Sequence, residues 1–212
     1  AGQRCSALRL LCLQEDVADR MLDMIIGAAR ELKVGDPREV STHVGPVIDA
    51  EAKGRLDAWI ETMRAAGSVK YAGVPPQGLY VAPHVIELPD ARALREEVFG
   101  PVLHVARYKA EALDAVIEAI GATGYGLTLG VHSRIDATAR RVHRRLAAGN
   151  IYVNRNMIGA VVGVQPFGGS GLSGTGPKAG GPHYLARFAT EQTVTVNTAA
   201  AGGNASLLGG RE

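Results

Sequence analysis

The chain has 212 residues, which is enough to bury a sizeable core in one or two domains. Hydrophobic residues make up 46% of it and charged residues 21%, a balance that excludes a disordered polypeptide. The 23 basic and 21 acidic side chains leave a formal charge of only +2, so charge-driven binding of nucleic acid or membranes is excluded as the main activity. No apolar run approaches the roughly 20 residues of a membrane-spanning helix.

The cysteine and histidine content limits the chemistry further. Two cysteines, Cys5 and Cys12, are too few for a disulfide framework, which indicates a reducing compartment. The six histidines occur singly and no Cys-x-x-Cys or His-Glu-x-x-His spacing is present, so we predict no metal site. The chain begins Ala-Gly-Gln-Arg-Cys, with neither an initiator methionine nor a signal segment. We therefore expect it to come from within a longer polypeptide.

The first half of the chain predicts alternating strands and helices. Residues 7–14 form an apolar run that is typical of a buried strand. Apolar residues recur at helical spacing over residues 17–32. Asp49 is a suitable N-cap for a second helix, which Gly67 would end. Strands are then predicted at residues 69–72, 79–88 and 101–108.

The second half continues this alternation and then loses it. Helices are predicted at residues 111–120 and 136–148, and strands at residues 127–132 and 151–153. From residue 159 to 181 the chain is rich in glycine and without periodicity. A β-rich run at 193–197 precedes a tail of small residues. The alternation predicts an α/β domain whose mostly parallel sheet is flanked by helices.

Residues 169–174 read Gly-Ser-Gly-Leu-Ser-Gly and match the G-x-G-x-x-G dinucleotide fingerprint. That fingerprint works only where its last glycine opens a helix whose N-terminus faces the pyrophosphate. Pro177 and Pro182 follow closely, so we expect no helix there. The segment is not a P-loop either, because Gly176 is followed by proline rather than lysine. We therefore reject it as a Rossmann site.

Cys5 allows two interpretations. It could be a buried, inert cysteine, as Cys12 within the apolar run is expected to be. It could also be a nucleophile, because it lies in a polar loop beside Arg4, whose charge would favour a thiolate.

The segment at 96–102, which reads Glu-Glu-Val-Phe-Gly-Pro-Val, also has two interpretations. It could be a solvated acidic face before a strand. Alternatively, a carboxylate could hold sugar hydroxyls while the phenyl ring packs on a flat ligand.

Five segments, in order, resemble the later half of an aldehyde dehydrogenase: GQRC around Cys5, EEVFGPV at 96–102, YGLTLGVHS at 125–133, GNIYVN at 149–154 and PFGG at 166–169. Within that family, residues 154–185 and the run NTAAAGGNASLL at 197–208 resemble one branch. This branch is the L-glutamate γ-semialdehyde (pyrroline-5-carboxylate) dehydrogenase part of the bacterial bifunctional proline utilization A enzymes.

The resemblance implies a division of the chain. Residues 1–189 would form the catalytic domain, with the nucleophile at its N-terminal edge. Residues 190–212 would supply an oligomerisation strand and a tail, so we expect a homo-oligomer. In this family the Rossmann domain that binds most of NAD precedes the nucleophile, and FAD belongs to a separate proline dehydrogenase domain. We expect both domains to lie outside this chain.

The resemblance also implies roles in the reaction. Cys5 would attack the aldehyde carbon, giving a thiohemiacetal and then a thioester. Glu97 would bind the nicotinamide ribose and Phe99 would line the nicotinamide pocket. The α-amino and α-carboxylate groups of the substrate would be anchored by Ser6 and by the loop at Gly159 and Ala160. A further residue, Phe167, would pack on the aliphatic part of the substrate.

In this family the general base and the oxyanion-hole asparagine also precede the nucleophile, so we expect the chain alone to be inactive. We expect it to act together with the N-terminal part of a parent enzyme and with a small-molecule substrate. Two alternatives remain open: an aldehyde dehydrogenase of other specificity, or a non-catalytic folding or assembly module that pairs through residues 193–197. The resemblance implies a cytoplasmic enzyme, and leaves open whether the parent lies on the inner membrane.

Overall fold

The centre of the molecule is a four-stranded mixed sheet, seen in a computed structural model that describes residues 1–197 and residue 200. Its strand order is β1-β4-β3-β2, where β1 is Leu10–Gln14, β2 is Val69–Ala72, β3 is His84–Leu88 and β4 is Val102–Tyr108. Strands β1 and β3 run parallel to β4, whereas β2 runs antiparallel to β3. The predicted α/β class is confirmed.

Four α-helices accompany the strands in the described part of the chain: α1 (Glu15–Arg30), α2 (Ala50–Ala65), α3 (Leu113–Ala122) and α4 (Asp136–Arg145). The expected N-cap of α2 is present, because the Asp49 side chain accepts a hydrogen bond of 2.7 Å from the Ala52 N–H. Such a cap satisfies one of the backbone donors that a helix start leaves without a partner.

The core forms because α1 and α2 cover opposite faces of this sheet. Successive side chains of a strand point to opposite faces, so Val85 packs with Leu22 of α1 while Ile86 packs with Leu56 of α2. Val98 joins the α2 side of the core from an irregular segment. This segment is thereby fixed against the sheet.

The described residues of the second half add two small sheets. Strands β6 (Thr128–Val131) and β7 (Asn150–Val153) pair in parallel, and β5 (Tyr125–Gly126) pairs antiparallel with β8 (Ser170–Gly171). The glycine-rich segment thus contains a short strand that the sequence did not predict. The described residues that follow β8 form no α-helix up to residue 197, as expected for the G-x-G-x-x-G match.

Several predicted boundaries are wrong. The predicted strand 79–88 begins only at His84, directly after Pro83, which has no N–H to give to a ladder. The predicted helix 136–148 ends at Arg145, because Leu146 turns to an extended conformation and is buried against Ile117 and Val131.

Residues 191–197, which include the expected oligomerisation strand, are exposed and lie in no strand of this single chain, so their pairing with a partner chain stays a prediction. Residues 198, 199 and 201–212 of the predicted tail lie outside the described residues.

Two further observations concern the described residues. Every helix among them falls short of the length and apolar character needed to cross a membrane. Within the same residues, no group of three or more histidine, cysteine or acidic side chains lies close enough to hold a metal ion.

Candidate active site

Cys5 lies exposed in the loop that leads into β1. The Ala7 N–H donates to the Arg4 carbonyl at 3.0 Å and closes a turn around it. Upstream, the Gln3 side chain accepts from the Ile48 N–H at 2.8 Å, which ties the start of the loop to the segment before α2. The cysteine is therefore accessible while its backbone is held on both sides.

Cys12 has the opposite surroundings. It lies within β1, and burial raises the pKa of its thiol to about 11. A thiol with that pKa stays protonated near neutral pH and is a poor nucleophile. The inert role expected for Cys12 suits its position.

Ser6, the residue after Cys5, is buried and contacts a distant loop. Its Oγ accepts a hydrogen bond of 3.0 Å from the Gly159 N–H, although the two residues are 153 positions apart. The structure therefore brings together two of the residues predicted to anchor a substrate. Since Ser6 Oγ acts as an acceptor here, its own O–H remains able to donate to another group.

The loop at Gly159 continues through Ala160 to Gln165. Gly159 has a φ of +71°, a left-handed conformation that glycine adopts without steric cost. The Gln165 side chain accepts from the Val161 N–H at 3.0 Å, and the Gln165 N–H donates to the Val161 carbonyl at 2.8 Å. The Ala160 N–H makes no hydrogen bond within the described part of the chain. A free donor is thus presented beside Ser6.

Side chains of strand β7 hold this loop in place through hydrogen bonds. The Tyr152 hydroxyl donates to the Gly159 carbonyl at 2.6 Å, and the Asn150 amide donates to the Pro166 carbonyl at 3.0 Å. Both ends of the loop are thereby tied to one strand. Phe167 follows Pro166 and exchanges two backbone hydrogen bonds with Ala179, at 3.0 and 2.9 Å. No hydrogen bond or ring contact among the described residues joins Phe167 to Cys5 or Ser6.

Glu97 and Phe99 lie on either side of Val98, whose side chain enters the core. Both contact Arg9, which immediately precedes β1. One Arg9 Nη lies 2.7 Å from Glu97 Oε1, and the guanidinium sits 3.8 Å from the centre of the Phe99 ring. Arg9 also donates to the Arg4 carbonyl at 2.9 Å and to the Cys5 carbonyl at 3.4 Å. The predicted nucleophile and the predicted cofactor residues are thus linked through one side chain.

A sequence profile of the aldehyde dehydrogenase family matches residues 1–194. The chain belongs to this family. The bifunctional protein PutA of Klebsiella aerogenes is 57% identical over 197 residues, which are 89% of this chain and 15% of that protein. A proline utilization A (PutA) variant from Bradyrhizobium japonicum, solved by crystallography, is 70% identical with a TM-score of 0.90 and covers 94% of this chain and 21% of that one.

A further solved structure that resembles this chain has a different name. The 1-pyrroline-5-carboxylate dehydrogenase from Thermus, solved with bound NAD, is 39% identical with a TM-score of 0.79. The match covers 88% of this chain and 36% of that one. This aldehyde dehydrogenase chain therefore spans well under half the length of each of these three relatives.

Sequence reasoning missed Arg9, Tyr152 and Asn150. The sequence predicts a strand within the GNIYVN family motif but no role for its side chains, yet Asn150 and Tyr152 hold the loop at Gly159. A signal for Arg9 was present, because an arginine interrupts an otherwise apolar run at residues 7–14.

Proposed function

We propose that the chain supplies the nucleophile and the substrate anchor of an NAD-dependent dehydrogenase that oxidises L-glutamate γ-semialdehyde to L-glutamate in proline catabolism. The observation that carries this proposal is the 3.0 Å hydrogen bond between Gly159 N–H and Ser6 Oγ, which joins the loop of an exposed cysteine to a loop with a free backbone donor. The names of the relatives, PutA and 1-pyrroline-5-carboxylate dehydrogenase, support the substrate class.

Cys5 acts as the nucleophile in this proposal. Its thiolate adds to the aldehyde carbon to form a thiohemiacetal, and its backbone N–H donates to the developing oxyanion. Collapse of that oxyanion with loss of a hydride from the same carbon leaves a thioester on Cys5 Sγ, and no further proton is lost in this step. Water then hydrolyses the thioester to L-glutamate and regenerates the thiol. The exposed position of Cys5 supports access by both aldehyde and water.

Ser6 and the loop at Gly159 recognise the amino-acid end of the substrate. The Ser6 O–H and the Ala160 N–H can both donate to a carboxylate, and the small residues leave room for it to approach the backbone. Alanine at position 160 offers no hydroxyl, so recognition there depends on the backbone. Phe167 packs on the aliphatic part of the substrate in this proposal.

Glu97 and Phe99 fit the nicotinamide end of NAD. Arg9 engages one carboxylate oxygen of Glu97, and the side chain stays 34% exposed, so an oxygen can accept from ribose hydroxyls. Phe99 stays 38% exposed beside Arg9 and can line a pocket for a flat ring. NAD, when bound, accepts the hydride. We propose no FAD site in this chain.

The test compares aldehydes with the complete gene product that contains the chain. L-Glutamate γ-semialdehyde, succinate semialdehyde and propanal differ in whether they carry the amino and carboxylate groups. We expect kcat/KM with NAD to be at least about a hundredfold higher for the glutamate derivative, because Ser6 and the loop donors remain unpaired with propanal. Equal kcat/KM values, or a preference for propanal, would instead assign another aldehyde specificity.

We further propose that the 212-residue chain alone does not turn over, because the family's general base and nucleotide-binding domain precede the nucleophile. The same assay, run on the purified chain, tests this. NADH formation by the chain alone would contradict it.

We also propose that residues 190–212 mediate assembly of a homo-oligomer. Val194 and Val196 alternate in an exposed segment, at 77% and 74% exposure, which suits pairing with a strand of a partner chain. The mass of the complete gene product, measured by light scattering with and without residues 190–212, tests this proposal. We expect a smaller oligomer after truncation, and an unchanged mass would contradict it.

A further inference from the structure

We infer that Arg9 is a positioning residue that holds the Cys5 loop and the Glu97–Phe99 pair in one fixed arrangement. This inference rests on the proposed function, since it gives both sides a part in the same reaction. It adds a residue that the family resemblance did not assign.

The guanidinium of Arg9 meets the two sides with different parts of its surface. One face lies over the Phe99 ring, 3.8 Å from its centre, and Nη1 lies 2.7 Å from Glu97 Oε1. The edge of the same group donates to the carbonyls of Arg4 and Cys5. A planar group with five donors can make these contacts together, whereas an ammonium group cannot.

Glu97 and Phe99 need such a contact because their own backbone does not fix them. The segment around them is neither helix nor strand, and only Val98 is anchored in the core. The side chains on either side of Val98 therefore lie outside the core and have Arg9 as their shared contact. Arg9 itself is only 14% exposed.

The backbone of Arg9 is unusually well held. Its carbonyl accepts from the His104 N–H and lies 3.0 Å from His104 Nδ1. The Trp59 indole N–H donates to His104 Nε2 at 2.9 Å, so Nδ1 carries the proton and donates to Arg9. His104 lies in β4, is fully buried, and reaches α2 through Trp59. Arg9 thus projects from a rigid point of the sheet.

One feature argues that Arg9 is not there for stability alone. Its Nε–H is buried without a hydrogen-bond partner among the described residues, a situation that costs free energy in a folded protein. Arg9 contacts four groups despite this cost: two backbone carbonyls, the Glu97 carboxylate and the Phe99 ring. We therefore explain its position by the arrangement in which it holds these groups.

The test uses Arg9→Lys in the complete gene product, with Arg107→Lys as the matched control. Arg107 likewise joins separate elements, through ion pairs with Glu87 and Asp19, but contacts no residue of the site. Three quantities are measured: the equilibrium Kd for NAD, the rate of Cys5 alkylation by iodoacetamide, and kcat and KM with the semialdehyde. Melting curves establish that each variant is folded.

We expect Arg9→Lys to weaken NAD binding about tenfold and to lower kcat by about ten- to a hundredfold, as displaced groups commonly do. The alkylation rate of Cys5 should change by about threefold or more, while the KM for the semialdehyde stays within about twofold of wild type. Arg107→Lys should leave all of these unchanged. A folded Arg9→Lys protein with wild-type NAD affinity and alkylation rate would overturn the inference.

A second variant keeps the inference testable if Arg9→Lys does not fold. Glu97→Gln removes the ion pair without altering Arg9, and it should change Cys5 alkylation only because Arg9 links the two sides. An alkylation rate that Glu97→Gln leaves unchanged would contradict this link. Failure of the wild-type protein to oxidise the semialdehyde would overturn the proposed function instead, and the alkylation measurements would still decide the role of Arg9.

Discussion

The two halves of the candidate site are held in place by different interactions. On the Cys5 side, a charged group, Arg9, joins the nucleophile loop to Glu97 and Phe99 through an ion pair and a cation–π contact. On the other side, the loop at Gly159 is held by neutral hydrogen bonds from Tyr152 and Asn150 of β7. The only hydrogen bond that joins these halves in the described structure runs from Gly159 to Ser6.

This difference suits the ligands that we propose for each half. The neutral backbone and hydroxyl donors at Ser6 and the Gly159 loop can bind a carboxylate through hydrogen bonds. A guanidinium shared by a carboxylate and an aromatic ring keeps the ring oriented while the carboxylate still has an oxygen free. Variants that alter only one half should therefore affect only one ligand.

The largest effect should come from removing the nucleophile. We expect Cys5→Ser to lower kcat by about three orders of magnitude or more, since a serine hydroxyl is hardly ionised near neutral pH. Cys12→Ser is the matched control, because the Cys12 thiol is buried with a raised pKa of about 11. The Cys12→Ser substitution should lower the free energy of unfolding. The kcat per active enzyme, with the active enzyme counted by active-site titration, should stay unchanged. Equal losses of kcat would contradict the different roles of the two cysteines.

The next largest effect should come from the residue that joins the halves. Ser6→Ala removes the acceptor for Gly159 N–H and the proposed donor to the substrate. We expect the KM for L-glutamate γ-semialdehyde to rise about tenfold, which corresponds to about 1.4 kcal/mol, and the KM for propanal to stay unchanged. A similar rise for both aldehydes would show that Ser6 acts on the nucleophile loop instead of on the amino-acid end.

A smaller effect is expected within the neutral half. Tyr152→Phe keeps the ring and removes the hydroxyl that donates to the Gly159 carbonyl. Loss of one such hydrogen bond costs about 1 kcal/mol, so the KM for the semialdehyde should rise by about threefold to tenfold. The Kd for NAD should not change, because the hydrogen-bond and ring partners of Tyr152 among the described residues are Asn150, Gly159 and Arg155. A weaker affinity for NAD in Tyr152→Phe would contradict the claim that the two halves of the site bind different ligands independently.

The smallest expected effect is on stability and comes from His104, which contacts the Arg9 carbonyl. Burial holds the pKa of His104 below its usual value of about 6.5, so the unfolded chain binds more protons than the folded chain below that pH. The His104 contribution is therefore fully present above pH about 6.5 and is lost as the pH falls through the lower folded pKa. Urea unfolding at several pH values between 5 and 7, followed by Trp59 fluorescence, measures this.

The matched variant for that measurement is His104→Asn. We expect its free energy of unfolding to depend less on pH than that of the wild type. Some dependence should remain, because burial also lowers the pKa of His84. An identical pH dependence in the variant and the wild type would mean that His104 is not held neutral by its surroundings.

The elements of the fold could largely be predicted, because periodicity and capping are local properties of the sequence. Asp49 is an example, since its N-cap role depends only on the three residues that follow it. Strand β8 could not be predicted in this way, because Ser170 and Gly171 pair with β5 across more than forty positions.

Individual site residues could be predicted only where they belong to sequence motifs of the family. Periodicity does not place Ser6 beside Gly159, and no local pattern shows that Arg9 meets Glu97 and Phe99. These contacts depend on how the sheet and its connecting loops pack together. Arg9 and Tyr152 were missed because the sequence does not show which loops they contact, at Glu97 and Phe99 for Arg9 and at Gly159 for Tyr152.

The most direct test of the central claim is to trap the covalent intermediate. The complete gene product is mixed with NAD and L-glutamate γ-semialdehyde, quenched rapidly in acid, digested and analysed by mass spectrometry. The account predicts a glutamyl thioester on the peptide that contains Cys5, and none on the peptide that contains Cys12. Turnover with an acyl group on another residue, or with no acyl group on Cys5 at any quench time, would contradict it.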